Sequence, residues 1–211
     1  MSIKALDFAE PFFHVLYLED EPVYQVGPKS LLINLAARSG QVITVKGMPV
    51  EPLKATVLQD VAAEHLGRAL LFLDYEACDI DDPAVSSEIR HTWKSLYECS
   101  GIARHKGLPY YKSPKIRIGD TELNVCFVSE PNTPSGPHRD HDRNFDEVHA
   151  QIRGFGKMQK FETSDTSTFY QEVLMAPGII HDRFYDEEGK YPWHQYSSIT
   201  PCVYMPIEID R

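Results

Sequence analysis

The chain has 211 residues, 42% of them hydrophobic, enough for one large domain or for one domain with an elaborated arm. A formal net charge of -10 at pH 7 excludes a role that depends on sequence-independent attraction to nucleic acid or to an anionic membrane surface. No apolar run approaches a membrane span, the longest being residues 31–37 and 69–73, and acids stand where a secretory peptide has its apolar centre, so a cytoplasmic protein is expected.

In chain order, short β-rich runs come first, at 11–18, 30–36 and 41–45, each bounded by Gly, Pro or acidic clusters. Residues 58–67 (LQDVAAEHLG) carry apolar side chains at helical spacing and end on a glycine, which predicts a helix. A second helix opens at Asp82-Pro83, with Asp82 as N-cap, aligns Val85, Ile89, Trp93 and Leu96 on one face, and stops at Gly101. From Ile116 the β pattern returns: a strand, a Gly-Asp turn and a second strand with Leu123, Val125 and Phe127 on one side. Further strands are expected at 147–152, 158–162, 168–175 and 199–207, with turn residues between them. Many short strands at regular spacing predict a mainly β protein, a sandwich or barrel, with a helical arm. The expected division is 1–114, N-terminal strands and arm packed on the barrel, and 115–211, the barrel itself. Four widely spaced cysteines, Cys78, Cys99, Cys126 and Cys202, read as reduced and mostly buried.

The chemistry concentrates between Pro134 and Arg183. His141, Glu147 and His181 make two imidazoles and one carboxylate, a ligand set for a divalent transition metal that leaves coordination positions open. Glu147, His149 and Gln151 alternate along one strand and so share a face, with Val148, Ala150 and Ile152 on the other. Three polar groups on one face of a buried strand need partners, and a cavity holding metal and substrate provides them.

The segment PHRDHDRNFDEVHAQIRG resembles the first cupin motif, with Glu147 followed by six residues and Gly154, and APGIIH resembles the second, ending on His181. The resemblance covers roughly residues 115–208 and implies a double-stranded β-helix, the cupin jelly roll. Two departures stand out: Arg143 occupies the place of the second histidine of the usual His-x-His, and Pro177 sits one residue closer to its glycine. The spacing of His141, Glu147 and His181 is similar to that of the iron-dependent homogentisate dioxygenase branch, which implies non-haem Fe(II) and O2, with Zn, Mn or Ni as other metals such ligands suit.

Around that triad, His149 is the expected second-sphere acid or base, or a ligand in place of His141. His138 reads as a loop residue, a donor to a ligand, or a fourth ligand, and Gln151 as orienting substrate or bonding the strand ends. Arg143 and Arg183 follow the ligands by two residues and would recognise a carboxylate or phosphate, or else pair as rim charges with nearby aspartates. The aromatic stretch holding Phe184, Tyr185, Tyr191, Trp193, His194 and Tyr196 reads as a pocket wall or as core packing. The functional expectation is a dioxygenase acting with O2 on a small aromatic or carboxylated substrate, as a homodimer without nucleic-acid or membrane partners. The competing expectations are a metal-dependent isomerase, lyase or hydrolase that does not use O2, and a non-catalytic ligand-binding barrel.

Overall fold

The computed structural model describes residues 1–139, 143–185 and 190–211. His141 lies outside the described residues, and so does any role assigned to it from sequence.

The N-terminal part is an antiparallel sheet of β1 (Ser2–Leu6), β2 (His14–Val26), β3 (Ser30–Asn34), β4 (Ile43–Val45), β5 (Met48–Val50), β6 (Ala55–Leu58) and β7 (Val61–Leu73). The helix expected over 58–67 is instead the end of β6, a bend at 59–60 and the start of β7, which pairs with β2 along almost its whole length. His65 has a left-handed φ of +61°, and Ala63, Leu66 and Ala69 all join one apolar cluster. That spacing of three imitates a helical stripe within a strand. Gly67, expected as a helix stop, lies inside β7.

The arm follows as α1 (Pro83–Thr92), β8 (Lys94–Ser95) and α2 (Leu96–Ser100). Asp82 caps α1 as expected, its carboxylate accepting from Ala84 N at 2.7 Å. The single helix expected from Asp82 to Gly101 is broken at Trp93, which leaves the helix in extended conformation. Ser95 then starts α2 with a capping box to Glu98, and Gly101, at φ +67°, ends it.

The C-terminal part comprises β9 (Tyr110–Lys112), β10 (Ile116–Ile118), β11 (Thr121–Leu123), β12 (Cys126–Val128), β13 (Phe145–Arg153), β14 (Gly156–Phe161), β15 (Phe169–Met175), β16 (Trp193–Ser198) and β17 (Cys202–Asp210). These form two layers. In the first, β17 lies between β13 and the β11 and β12 strands, and β13 carries the 179–180 segment on its other side through the Ala150–Ile180 bridge. In the second, β14 lies between β15 and β16, and β16 carries the 134–138 segment through bridges Pro134–Ser197 and His138–His194. Successive pieces of chain alternate between the layers, which is the winding of a jelly roll. The protein is thus mainly β, and β16 falls in the aromatic stretch, where no strand was expected.

Inner faces of the two layers meet around Tyr110, Met158, Met175, Tyr196, Cys202 and Tyr204. The outer face of the first layer packs against the N-terminal sheet: Val148, Ala150, Ile152, Val203, Met205 and Ile207 share one core with Phe13, Val15, Leu31, Ile33, Leu70 and Phe72. Cys78, Cys126 and Cys202 are buried, Cys99 is exposed, and all four are free thiols. Among the described residues, no helix is long and apolar enough to cross a membrane.

The turn after β13 rests on Gly154, whose φ is +61° and where a Cβ would lie 2.1 Å from the Pro201 carbonyl oxygen. Both the left-handed backbone and the collision exclude a side chain there. Gly154→Ala is therefore expected to destabilise the protein by at least ~2 kcal/mol, read as a lower urea midpoint at unchanged m-value.

Candidate metal centre

β13 places Glu147 and His149 in the barrel interior, while Val148, Ala150 and Ile152 face the opposite, apolar side, as the alternation requires. Both lie on a cavity of about 390 Å³ between the barrel and the arm. His138 comes from the 134–138 segment and His194 from β16, and the two are direct cross-strand partners, with backbone N–H to O distances of 3.0 and 2.9 Å. Ligand atoms of His138, Glu147 and His194 all lie within 4.8 Å of one another.

Hydrogen bonds assign the tautomers of the imidazoles. His194 Nδ1 lies 3.1 Å from the Pro192 carbonyl and His138 Nδ1 3.3 Å from the Gly136 carbonyl, so each Nδ1–H donates and each Nε2 keeps its lone pair. His181 Nδ1–H donates to the Asp182 carbonyl at 2.7 Å, which makes its Nε2 an acceptor. That Nε2 receives the His149 backbone N–H at 2.9 Å and the His149 Nδ1–H at 2.8 Å. His149 Nε2 in turn keeps its lone pair and lies 3.7 Å from one Glu147 oxygen, while His194 Nε2 lies 3.6 Å from the other.

Acceptors thus face acceptors across the cavity. For neutral rings, lone pairs 3.6 to 3.7 Å from a carboxylate repel it, and a metal ion or a proton between them relieves that repulsion. Those separations match donors held at ~2.1 Å around one ion, which sit about 3 to 4 Å apart. Pinning of a ligand's distal N–H to a carbonyl or neighbouring side chain is the usual second layer of a metal site. The residues therefore fit a divalent transition metal. Burial holds the His149 imidazole well below its ordinary value, against the pull of Glu147, and pushes His181 down to about 4. Both rings are neutral at pH 7, as ligation and hydrogen-bond acceptance require.

The structure distributes the sequence candidates unevenly. Glu147 is central. His149, expected as acid or base, presents its Nε2 beside it. His181, expected as a ligand, has both ring nitrogens engaged and stands behind His149, stacked on Phe184 at a centroid distance of 4.2 Å. Gln151 bonds strand ends: its amide oxygen accepts from Tyr196 O–H at 2.7 Å and its nitrogen donates to the Arg153 carbonyl at 2.9 Å. Arg143 lies outside the cavity lining and donates to Asp210 at 2.8 Å, Glu122 at 2.9 Å and Glu208 at 2.5 Å, which makes it a brace at the barrel end. Arg183 pairs with Asp146 at 3.2 Å. His194 was passed over among aromatic residues, although His194 and Tyr196 alternate on one face of β16 as Glu147 and His149 do on β13.

Fold and site define a jelly-roll protein with a buried cluster of histidines around one glutamate. No family model matches the chain, and no curated protein matches it in sequence. Solved structures to which it is similar include a cupin superfamily protein from Desulfitobacterium hafniense, 7% identical with TM-score 0.36, covering 48% of this chain and 78% of that one. Another is salicylate 1,2-dioxygenase from Pseudoaminobacter salicylatoxidans, 8% identical with TM-score 0.40, covering 94% of this chain and 68% of that one. A third is a sugar phosphate isomerase of the cupin superfamily from Silicibacter pomeroyi, 18% identical with TM-score 0.32, covering 47% of this chain and 60% of that one.

The buried imidazoles have a consequence for stability. Their folded values lie below the unfolded value of 6.5, so the unfolded chain takes up protons first as pH falls. Stability present above pH 6.5 is lost progressively toward about pH 4, on the order of 3 kcal/mol for His181 alone. Urea midpoints measured across that window in the presence of chelator should show the loss, and His181→Gln should flatten it.

Proposed function

We propose that the cavity holds a divalent transition metal on Glu147 and on Nε2 of His138, His149 and His194, and that the protein is a non-haem Fe(II) dioxygenase acting with O2 on a small aromatic or carboxylated substrate. The observation that carries this reading is the pinned Nδ1–H of each imidazole, which turns lone pairs toward a single carboxylate. Bound there, the ion supplies Lewis acidity and a redox couple at a site open to substrate.

The chain's own groups do the rest. Glu147 contributes the one negative charge, and the neutral imidazoles bind without adding repulsion. His181 fixes the ring plane of His149 by accepting from both its backbone and its side chain. Tyr204 and Tyr196, stacked at 3.9 Å, give the cavity a flat apolar wall against which a ring can lie. Residues of α2 and the following turn line the cavity on the side of the arm.

Purified protein is expected to carry one transition-metal ion per chain by elemental analysis and to consume O2 when given a phenolic or enolic acid. Glu147→Ala and His194→Ala should lose the metal and the activity together. Full O2 consumption in Glu147→Ala would sink the reading, and turnover under strict anaerobiosis would assign a Lewis-acid isomerase, lyase or hydrolase instead.

His181→Asn is expected to keep the metal with an affinity lower by roughly 10 to 100-fold, because it loosens a ligand without removing one. Competition with a chelator of known affinity measures this. Complete metal loss in His181→Asn, equal to that of Glu147→Ala, would make His181 a ligand.

A further inference from the structure

The basic side chains around the cavity are unequally matched. Glu208, which lines it, is held by Lys115 at 2.8 Å and by Arg143 at 2.5 Å. Arg117 is consumed by Glu122 and Asp210, and Arg183 by Asp146. Arg104 and Lys112 also line the cavity, and among the described residues neither has a carboxylate within salt-bridge distance. The chain as a whole carries a net charge of -10, so two unmatched cations on one cavity wall do not reflect a general surplus.

Their placement is built. Arg104 and His105 come from the turn Ala103–His105 that follows α2, and Lys112 ends β9. The Arg104 stem crosses over Gly136: a Cβ there would lie 3.7 Å from Arg104 Cδ and Nε. Gly136 is the residue whose carbonyl orients His138, so the Arg104 side chain passes beside the segment that carries His138. The cations also converge. Besides burial, the charges of Arg104 and Lys112 both hold the His105 imidazole below its ordinary value. His105 is itself fixed by Ser100, with Nδ1 2.8 Å from Oγ.

We infer that the substrate is an organic anion whose carboxylate or phosphate is held by Arg104 and Lys112 while its other end lies against Glu147 and the histidines. This rests on the proposed metal centre for which end reacts, although capture of the anion does not depend on the metal. Of the two acids that line the cavity, Glu208 is already held by Lys115 and Arg143 and Glu147 lies with the histidines at the other end, and a planar body lies along Tyr196 and Tyr204. Anion recognition thereby falls to the turn after α2 and to β9, since Arg143 is committed to three carboxylates.

The test is calorimetric titration of the full chain with benzoate, phenyl phosphate and the uncharged benzamide, with metal content measured on the same samples. One or both anions should bind at least about tenfold more tightly than benzamide, and the doubly substituted Arg104→Gln, Lys112→Gln protein should lose that preference. Preference for benzoate assigns a carboxylate, and preference for phenyl phosphate assigns a phosphate. Arg104→Lys, which keeps the charge, should retain most of the discrimination. Equal binding of charged and uncharged probes, no binding of either anion, or unchanged affinity in the double variant would overturn the inference. A protein that carries no metal yet discriminates for the anions would refute the metal reading alone.

Discussion

The two faces of β13 are the constraint on which the rest of the molecule depends. Val148, Ala150 and Ile152 are fully buried against the N-terminal sheet, while Glu147, His149 and Gln151 point into the barrel. Burying the valine and isoleucine contributes about 1.5 to 3 kcal/mol each. A slip of one residue would drive a carboxylate and an imidazole into that apolar interface, at a cost of several kcal/mol. The register with β17 locks the same choice, since Val148 pairs with Ile207 and Ala150 with Met205, both in that core. Packing in the N-terminal sheet therefore sets the position of Glu147. The first half of the chain is the other side of the site's foundation.

Burial of so many polar groups is tolerated because nearly every one has an assigned direction. The backbone carbonyls of Gly136, Pro192 and Asp182 each take an Nδ1–H, and His181 passes the same constraint on to His149. Direction is what separates this cluster from a set of core histidines satisfied by one another. In a self-satisfied cluster, donors would meet acceptors around the cavity. Here the Nδ1–H groups of His138 and His194 are turned to backbone carbonyls and that of His149 to His181, so the Nε2 atoms of His149 and His194 face one carboxylate. Such an arrangement suits a metal ion, the reading proposed for this cavity.

Legibility in the sequence followed the range of the interactions concerned. The shared face of Glu147, His149 and Gln151 could be read because strand alternation is local, and Gly154 because its turn is local. The cap at Asp82 and the stop at Gly101 were legible for the same reason. Strand β7 imitates a helix in sequence because the left-handed φ at His65 shifts its side-chain spacing toward three. His194 and His138 meet only through a cross-strand pair spanning more than fifty residues, for which a single sequence carries no local signal. The roles of His181 and Gln151 turn on which nitrogen or oxygen donates to which partner. Spacing places a side chain on a face, but it does not say what that side chain bonds. Arg143 likewise stands close to the motif in sequence, and three carboxylates from β11 and β17 draw it to the barrel end.

The break at Trp93 explains why the arm reaches the cavity at all. A continuous helix from Asp82 to Gly101 would run straight for about 28 Å and carry its last turns past the barrel. Trp93 and Ile89 are instead buried in the core shared with the N-terminal sheet, and the chain leaves α1 extended, pairing Lys94 and Ser95 with β9. Ser95 then caps a new helix whose direction is set by β9, a strand of the barrel layer. The arm is thereby tied at one end to the N-terminal sheet and at the other to the barrel. Leu96, Cys99 and Ser100 are delivered onto the cavity wall, with Arg104 just beyond them. A segment fixed at both ends therefore lines the same cavity that Glu147 faces.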